Sequence, residues 1–376
     1  MIMIEIREVL SNSDLNAFIK FPDKLYKHNK YRATPLHSFE RALLNKKKNP
    51  AFEYCEAKYW LAYSNGKIVG RIAGIINHRF IELWGKKYAR FGWIDFIEDE
   101  TISQALLQEV EEWAISKGMD GIQGPLGFTD MDMEGMLVEG FEEEGTMAVL
   151  YNYPYYPEHM EKHGYQKDAD WVQREIKIPE SVPERLDKFA EIVSKKYKVR
   201  PLKAEKAKDL LPYAKSMFES LNDSFKQLYG FVPLTEKQIQ HYTKDYFSII
   251  LPEYVCFVLN EDDDVIGFGV AMPSLTQALI KSRGNLIPCG AYHILRTLKK
   301  HDIMDLYLNG VRPDYQNKGI HAIYFTELMK SFIKNKISFA ITNPQLEDNN
   351  RALMLWEGYE QRVHIRRRSY IKLFTN

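Results

Sequence analysis

The sequence predicts an α/β protein built from two tandem copies of one unit. The chain has 376 residues, 45% of them hydrophobic, which is enough for two cores of ordinary domain size. A hairpin pattern occurs twice, first as YWLAYSNGKIVGRIAGIIN and then as YVCFVLNEDDDVIGFGVAM. Each half also ends in a short helix, a Gly-Tyr pair and an alternating strand, in YYPEHMEKHGYQKDADWVQREIKI and RALMLWEGYEQRVHIRRRSYIKL.

The elements between hairpin and closing segment follow the same order in both halves. In the first half the strand RFGWIDFI precedes the helix ISQALLQEVEEWAISKG. In the second half the strand DIMDLYLNGV precedes a helix from Gly319 to about Lys334. Another strand follows each helix, DGIQGPL and then SFAITNP. Prolines and charges after residue 178 indicate a connection, so we predict domains at residues 1–178 and 179–376.

Charge and hydropathy exclude several classes of protein. Lys+Arg and Asp+Glu both number 51, so no overall positive field attracts nucleic acid or an anionic membrane, although a local patch remains open. The apolar runs are shorter than the roughly 20 residues that cross a bilayer, and the first residues lack a leader pattern. We expect a soluble, cytoplasmic protein. Cys55, Cys256 and Cys289 stand far apart, which predicts buried, reduced thiols and no thiolate metal site.

The turn NGVRPDYQNKGIHAIYF joins a strand to a helix and carries donors in a row. Main-chain amides at the start of a helix lack partners, and the helix dipole adds positive potential, so such a turn suits a phosphate. Gln316, Asn317 and Lys318 add side-chain donors, and Gly319 should let a phosphate approach the main chain. The spacing matches neither a P-loop nor a dinucleotide fingerprint.

Two segments resemble motifs of the GCN5-related N-acetyltransferases (GNAT). GVRPDYQNKGIHA is similar to their Q/R-x-x-G-x-G/A pyrophosphate-binding motif, and EDNNRALMLWEGYE to their closing segment. The chain also resembles bacterial tandem acetyltransferase-fold proteins of the YghO-like type, through Tyr151–Pro157 and Leu346–Asn349. The resemblance implies two tandem GNAT domains, each a mixed, mostly antiparallel sheet flanked by helices, with acyl-CoA between two splayed strands.

The resemblance also implies a set of CoA-binding positions. The main chain of Val311 would pair with the pantetheine amide, and Asn349 would face the CoA arm. The pyrophosphate would lie at Gln316, Asn317, Lys318, Gly319, Ile320, His321 and Ala322. Two residues depart from the family pattern: His321 replaces a small residue, and Trp356 replaces the tyrosine that often protonates the leaving thiolate. The general acid is therefore unassigned.

The first half should not bind CoA, because its turn carries the acidic residues Glu98, Asp99 and Glu100. Acidic side chains there complement the helix dipole but repel a pyrophosphate. We predict a degenerate GNAT-like domain that shapes the substrate site. In YNYPYYPEH, Tyr153 and Tyr155 would form an aromatic wall for the substrate, with plain core packing as the alternative.

Acyl transfer to an amine needs a base. Asp305, Tyr307 and Asn309 recur every second residue along the strand before the turn, so we predict that they share one face, with Asp305 as the base. Glu347 is the next candidate. The structural alternatives are that Asp305 only caps a strand edge and that Glu347 is only a solvated loop residue. His159 and His163 have metal-like spacing but lack further ligands, so we expect no metal.

One insertion is unexpected for a minimal acetyltransferase. The segment Pro273–His301 combines leucines and isoleucines with five Lys or Arg residues. An ordinary packed helix pair is one interpretation. The other is a lid over a long acyl chain or an amphiphilic amine, assisted by LYGFVPLT at residues 228–235.

The leading functional hypothesis is an acyl-CoA-dependent N-acyltransferase that moves an acetyl or longer acyl group to an amine by direct attack. The amine would enter near the domain junction. A transferase that uses aminoacyl-tRNA and a non-catalytic CoA-binding or regulatory protein are the alternatives. The YghO-like resemblance also implies one specific pair of substrates, namely an amino alcohol or sphingoid-type amine and a long-chain acyl donor. Peripheral membrane contact is compatible with these substrates.

Overall fold

A computed structural model describes residues 4–247 and 249–374. Over these residues the chain forms one continuous sheet of fourteen strands. The strands are β1 (Ile4–Glu8), β2 (Cys55–Ser64), β3 (Lys67–Asn77), β4 (Tyr88–Phe96), β5 (Gly121–Gly124), β6 (Met136–Glu139), β7 (Gln166–Lys177), β8 (Arg200–Pro201), β9 (Val255–Leu259), β10 (Val265–Pro273), β11 (Ile303–Val311), β12 (Phe339–Thr342), β13 (Gln345–Leu346) and β14 (Gln361–Leu373).

Helices cover both faces of the sheet. They are α1 (Asn12–Leu25), α2 (His37–Leu43), α3 (His78–Trp84), α4 (Glu100–Ser116), α5 (Tyr155–Lys162), α6 (Glu184–Tyr197), α7 (Ala207–Leu210), α8 (Ala214–Phe225), α9 (Glu236–Tyr246), α10 (Thr276–Ser282), α11 (Ala291–Lys299), α12 (His321–Lys334) and α13 (Asn350–Met354). The predicted α/β class is confirmed.

The two halves repeat one topology. Antiparallel pairs β2–β3 and β3–β4 in the first half correspond to β9–β10 and β10–β11 in the second. A helix then crosses over to a parallel strand, through α4 to β5 and through α12 to β12. Both parallel pairs are short: Tyr88–Arg90 faces Gly121–Gln123, and Ile303–Leu306 faces Phe339–Thr342. The mixed, mostly antiparallel sheet of a tandem fold is thus confirmed.

Glycines let each crossover helix lie close to its hairpin. A Cβ on Gly74 of β3 would come within 2.9 Å of the Trp113 ring of α4. A Cβ on Gly269 of β10 would come within 2.7 Å of Tyr324 of α12. The same device therefore operates in both halves, because only a residue without a side chain leaves room for the aromatic ring above the strand.

The closing strands of the two halves are exchanged. The strand order is β1-β2-β3-β4-β5-β14-β7-β12-β11-β10-β9-β8. β14, the last strand of the chain, pairs with β5 of the first half, while β7 pairs with β12 of the second. β7 and β14 also pair with each other over most of their length, from Gln361↔Ile176 to Ile371↔Gln166. The centre of the sheet is therefore formed by one strand from each half.

Two further sequence expectations concern cysteines and the membrane. Cys55 and Cys256 are free and buried, as predicted, and burial raises the pKa of the Cys55 thiol to about 12. The side chain of Cys289 lies outside the described residues. Within residues 4–247 and 249–374, no helix combines the length and the apolar character that crossing a bilayer requires.

The strand exchange predicts that neither half folds alone. A fragment of residues 1–178 would leave β5 without β14 and β7 without β12, and such open strand edges promote aggregation. We expect the separate fragments 1–178 and 179–376 to aggregate, and the co-expressed fragments to purify as one complex. Size-exclusion chromatography with amide hydrogen exchange measures this. A monomeric fragment 1–178 with native protection in β5 and β7 would contradict the prediction.

Candidate active site

The parallel strands β11 and β12 separate at the site that the sequence predicts. Pairing ends at Leu306 and Thr342. The next residue, Asn343, donates from its main chain to the Leu306 carbonyl (3.1 Å) and from its side chain to the Tyr307 carbonyl (2.7 Å). Beyond Tyr307, β11 pairs only with β10 among the described strands, so an opening forms between the two strands.

A bulge changes the predicted face of β11. The register with β10 shifts between Val270 and Ala271, so Leu308 lies opposite Val270 and Leu306 opposite Ala271. Asn309 lies opposite Gly269, and a Cβ added to Gly269 would point towards α12. Asp305 lies opposite Met272, which packs on the other face. The prediction of one shared face is therefore wrong for Asn309, because the bulge breaks strict alternation.

The turn before α12 presents free amides. Among the described residues, no protein atom accepts a hydrogen bond from the main-chain N–H groups of residues 317–320, and no side chain caps the helix. Asn317 has φ +60° and Gly319 φ +79°, so left-handed residues curl the chain here. The Lys318 ammonium lies 4.7 Å from the Tyr315 ring centroid and 5.4 Å from that of Tyr197. The turn has the features of an anion cradle.

Gly319 serves packing rather than phosphate approach. A Cβ at this position would come within 2.6 Å of the Phe189 ring and 3.0 Å of Val193, both on α6. We expected that the missing side chain opens a path for phosphate to the main chain. This expectation is wrong, because the Cα–Cβ direction of Gly319 points into α6. An anion would therefore have to contact the neighbouring amides, which have no acceptor among the described residues.

Several groups that were predicted to contact CoA already form hydrogen bonds within the protein. The Val311 carbonyl accepts hydrogen bonds from Ser224 Oγ (3.0 Å) and Gln316 Nε2 (3.1 Å). The Gln316 side chain thus reaches back to the strand. Asn349 caps α13 through Oδ1, which accepts from the Ala352 amide (3.3 Å). His321, the first residue of α12, is half-buried, and burial lowers its pKa.

At the equivalent turn of the first half, an aspartate side chain caps the helix N-terminus. Asp99 caps α4, and its Oδ1 accepts from the Thr101 amide (2.9 Å). Glu100 forms an ion pair with Lys162 (3.1 Å). A negative group thus already lies at the helix N-terminus, which supports the prediction that this copy does not hold a pyrophosphate.

A cavity of about 640 Å³ lies between the two halves beside the splayed strands. Its walls are mainly apolar. The first half contributes Leu36, Phe39, Leu43, Trp93, Met131 and Met147. The second half contributes Phe225, Leu228, Phe231, Met272, Leu279, Ile294, Leu298 and Leu308. Leu279, Ile294 and Leu298 belong to the insertion Pro273–His301, and Leu228 and Phe231 to the segment 228–235, as the lid hypothesis expects.

Three carboxylates face this cavity from one loop. Asp130, Asp132 and Glu134 all line it, and we call residues 129–135 the acidic loop. Asp132 Oδ2 accepts from the amides of Phe128 (2.8 Å) and Thr129 (3.0 Å). Burial raises the pKa of Asp132 to about 7, and burial with the neighbouring carboxylates holds the pKa of Glu134 well above its usual range. Sequence reasoning missed this loop, although the alternating DMDME after a strand was a visible signal.

The cavity gathers some of the predicted residues and leaves out others. Tyr307, Asn309 and Asn349 line it, and so does Trp356. Trp356 is only 3% exposed, and its Nε1 has no hydrogen-bond partner among the described residues. Asp305 and Glu347 are not among the described residues that line the cavity.

Asp305 is a buried carboxyl behind the cavity wall. Its exposed fraction is 1%, and its Oδ1 has no partner among the described residues. Burial raises its pKa to about 7, and a hydrogen bond with Ser274 acts in the opposite direction. The group has the basicity of a general base, but nothing in the cavity lining places it next to an amine.

The remaining predicted residues have structural partners. Glu347 forms ion pairs with Lys167 and with Arg366 (2.7 Å), so its carboxylate is committed. The Tyr155 hydroxyl donates to the Phe96 carbonyl (2.6 Å), and the Tyr153 ring stacks on Tyr155. Neither tyrosine lines the cavity. The aromatic-wall prediction is therefore replaced by its alternative, core packing.

The histidine pair is also structural. Ser103 Oγ lies 2.9 Å from His159 Nδ1 and 2.8 Å from His163 Nε2, so one hydroxyl bridges both rings. In the part of the chain that the structure describes, no group of three or more His, Cys, Asp or Glu side chains is arranged to hold a metal.

Asp305→Asn should flatten the pH dependence of stability. In the folded protein the pKa is about 7, against about 3.9 in an unfolded chain. As pH rises between these values, the unfolded chain loses a proton that the folded protein keeps, so the free energy of unfolding falls and then levels off. The asparagine variant should lack up to about 4 kcal/mol of that fall. Urea unfolding across this range measures it, with Asp262→Asn on an exposed turn as control; parallel wild-type and Asp305→Asn curves would contradict it.

Comparisons with known proteins agree with the topology. No family model matches the chain. Protein YghO of Escherichia coli (strain K12) is 29% identical over 377 residues, which cover 98% of this chain and 95% of that protein. Bacterial ceramide synthase of Caulobacter vibrioides (strain NA1000 / CB15N) is 26% identical over 322 residues, which cover 83% and 82%.

Solved structures show the same fold at low identity. A tandem GNAT protein from the clavulanic acid biosynthesis pathway matches with a TM-score of 0.55 and 11% identity, over 99% of this chain and 98% of that one. A GCN5-related N-acetyltransferase from Sphaerobacter thermophilus matches with a TM-score of 0.50 and 12% identity, over 98% and 95%. Two repeated halves, their splayed parallel strands and these likenesses show that the chain has the tandem GNAT fold and is similar to YghO over nearly its whole length.

Proposed function

We propose that the protein is an acyl-CoA-dependent N-acyltransferase that joins a long acyl chain to an amphiphilic amine, such as an amino alcohol or a sphingoid-type amine. The observation that carries this proposal is the apolar cavity, which extends from the opening between β11 and β12 to the acidic loop. A volume of about 640 Å³ is in the range of small-molecule sites and far exceeds an acetyl group. The ceramide synthase name of one relative agrees with such a substrate.

The second half has the features needed for the acyl-CoA donor. The free amides of residues 317–320 and the Lys318 ammonium would bind the pyrophosphate, since anions are stabilised at a helix N-terminus. Asn309 and Asn349 would flank the pantetheine arm where the strands separate. When bound, the thioester supplies an activated acyl group. We keep the assignment of this site to residues 179–376, with residues 1–178 supplying cavity walls and no CoA site.

The acidic loop would receive the amine. An ammonium entering a largely apolar cavity loses its hydration, and Asp130, Asp132 and Glu134 would compensate it. The amine must then lose a proton before it attacks. Asp132, with a pKa of about 7 and a place in the cavity wall, suits that role near neutral pH. Asp305 remains the alternative base. The Trp356 indole nitrogen is buried and has no hydrogen-bond partner among the described residues, so the general acid stays unassigned.

The proposal is tested by turnover. Purified protein is incubated with acyl-CoAs of increasing length and with short polar or long-chain amines, while thiol release is followed and the product is identified by mass spectrometry. We expect the amide of a long-chain amine, formed fastest with long acyl donors. Acylation of short polar amines alone would overturn the substrate class. CoA binding without any turnover would favour a regulatory protein. We also propose that the protein acts in the cytoplasm.

Lys318→Glu should weaken CoA binding by roughly 10- to 100-fold, because it replaces a charge-assisted contact to the pyrophosphate with repulsion. This position is preferable to Gly319, where any side chain meets α6. Calorimetric titration measures the affinity. Lys334→Glu makes the same charge change at the exposed far end of α12 and should bind CoA like wild type. Equal affinities of the two variants would remove the cradle from the proposal.

Ile294→Trp should shorten the chains that the enzyme accepts. The residue lines the cavity from α11, so a larger ring there takes space from a bound chain. We expect long-chain amide formation to fall at least about tenfold, while acetyl transfer to a short amine changes little. Ile192→Trp, on an exposed part of α6, is the matched control. A uniform loss for all chain lengths would indicate misfolding or a different chain site.

Asp132→Asn should lower kcat by roughly 10² to 10⁴ near neutral pH while CoA affinity stays unchanged, because a base lowers the barrier rather than strengthening donor binding. The asparagine oxygen still accepts the two loop amides, so the fold should persist. The loss should shrink at alkaline pH, where free amine is abundant. Asp305→Asn in the same assay discriminates between the two carboxyls. Normal turnover of Asp132→Asn together with a slow Asp305→Asn would move the role to Asp305.

A further inference from the structure

The insertion Pro273–His301 has an outer surface that the cavity does not use. Of its apolar side chains, Ile287 is 79% exposed, Tyr292 61% and Leu295 59%. Leu286 is both exposed and part of the cavity wall, so this surface adjoins the cavity. Large apolar groups grouped at one exposed place mark a contact surface more often than scattered ones do.

The helix α11 separates the cavity from this outer surface. At about 100° per residue, Tyr292, Leu295 and Lys299 fall on one side of the helix together with Arg296. Ile294 and Leu298, which line the cavity, fall on the opposite side. One face of α11 therefore contacts the cavity, and the other presents apolar and basic side chains outward.

The charge of the segment itself is one-sided, and Glu144 of the first half adjoins it through a hydrogen bond from Gln277 (2.5 Å). The segment from Pro273 to His301 contains Lys281, Arg283, Arg296, Lys299 and Lys300 and no Asp or Glu. All five basic residues are exposed, and none forms an ion pair with a described residue. The whole chain has no net charge, so this is a local departure from its average. Apolar and basic side chains on one exposed helical face are typical of segments that lie on anionic bilayers.

We propose that the outer surface of α10–α11, with Ile287, Tyr292 and Leu295 at its centre, docks on an anionic phospholipid bilayer. Apolar side chains would insert below the headgroups while the lysines and arginines pair with lipid phosphates. The cavity wall formed by the same helices would then lie at the membrane surface. This inference rests on the proposed function in one respect: an amphiphilic amine and a long acyl chain reside in such a membrane.

The test is co-sedimentation of the full chain with vesicles, without acyl-CoA or amine. We expect binding to vesicles of phosphatidylcholine mixed with phosphatidylglycerol, weaker binding to phosphatidylcholine alone, and loss of binding as salt screens the lipid charge. The double variant Ile287→Asp, Leu295→Asp should bind at least about tenfold more weakly. Neither residue lines the cavity.

A matched control replaces two equally exposed residues elsewhere. Ile192 is 61% exposed and Leu83 57%, so Ile192→Asp, Leu83→Asp adds the same charges to other surfaces and should bind like wild type. Equal binding of the two double variants, or no preference for anionic vesicles, would overturn the proposal. A wild-type dimer that the Ile287→Asp, Leu295→Asp variant abolishes, with vesicle binding unchanged, would assign the surface to self-association instead.

Turnover measurements separate this inference from the proposed function. The Ile287→Asp, Leu295→Asp variant should acylate a short, water-soluble amine at the wild-type rate and lose activity only on a long-chain amine presented in vesicles. Vesicle binding by a protein that transfers no acyl group would refute the proposed function and leave the docking surface. Acyl transfer without any vesicle binding would refute the docking surface alone.

Discussion

The pairing of β7 with β14 is the constraint on which the rest of the structure depends. These strands come from opposite halves of the chain, and each also pairs with a strand of the other half's parallel pair. Their contact sets the relative position of the two halves. The cavity needs that position, because its walls combine residues on both sides of the junction, such as Trp93 and Leu308.

The two halves have kept one framework and diverged in chemistry. Both contain a hairpin, a crossover helix packed over strand glycines, and a short parallel pair that opens. They differ at the N-terminus of the crossover helix, where Asp99 caps α4 and free amides precede α12. One helix N-terminus thus carries a carboxylate, and the other leaves main-chain amides without an acceptor among the described residues. The loop after β5 in the first half instead supplies carboxylates to the cavity. The proposed division of donor and acceptor roles between the copies rests on these differences.

Much of the fold could be predicted from the sequence, because its signals are local. The Asn65-Gly66 turn has the positive φ angles of a hairpin turn, and the strand-turn-helix unit around residue 318 lies where periodicity indicates. The strand exchange could not be predicted, since β7 and β14 have the same pattern whichever neighbour they take. The bulge in β11 reversed the face of Asn309 for a similar reason: alternation assumes regular pairing.

The cavity is formed by distant segments, so its lining was only partly visible in the insertion and in residues 228–235. Asp305 and Tyr155 show the limit of residue type as a guide. Both are typical of active sites, yet Asp305 is buried and the Tyr155 hydroxyl is bonded to the Phe96 carbonyl.

The exchanged strand has a consequence for biosynthesis. Gly124 of β5 pairs with Tyr370, so β5 lacks this sheet neighbour until residue 370 has left the ribosome. Long-range strand pairing is slow to form and leaves edges exposed in the meantime. Completion of the first half's sheet therefore waits for β14, and a chain that stops before Gln361 leaves β5 without this partner. The same linkage joins the two copies in evolution, because each copy supplies a strand that the sheet of the other requires.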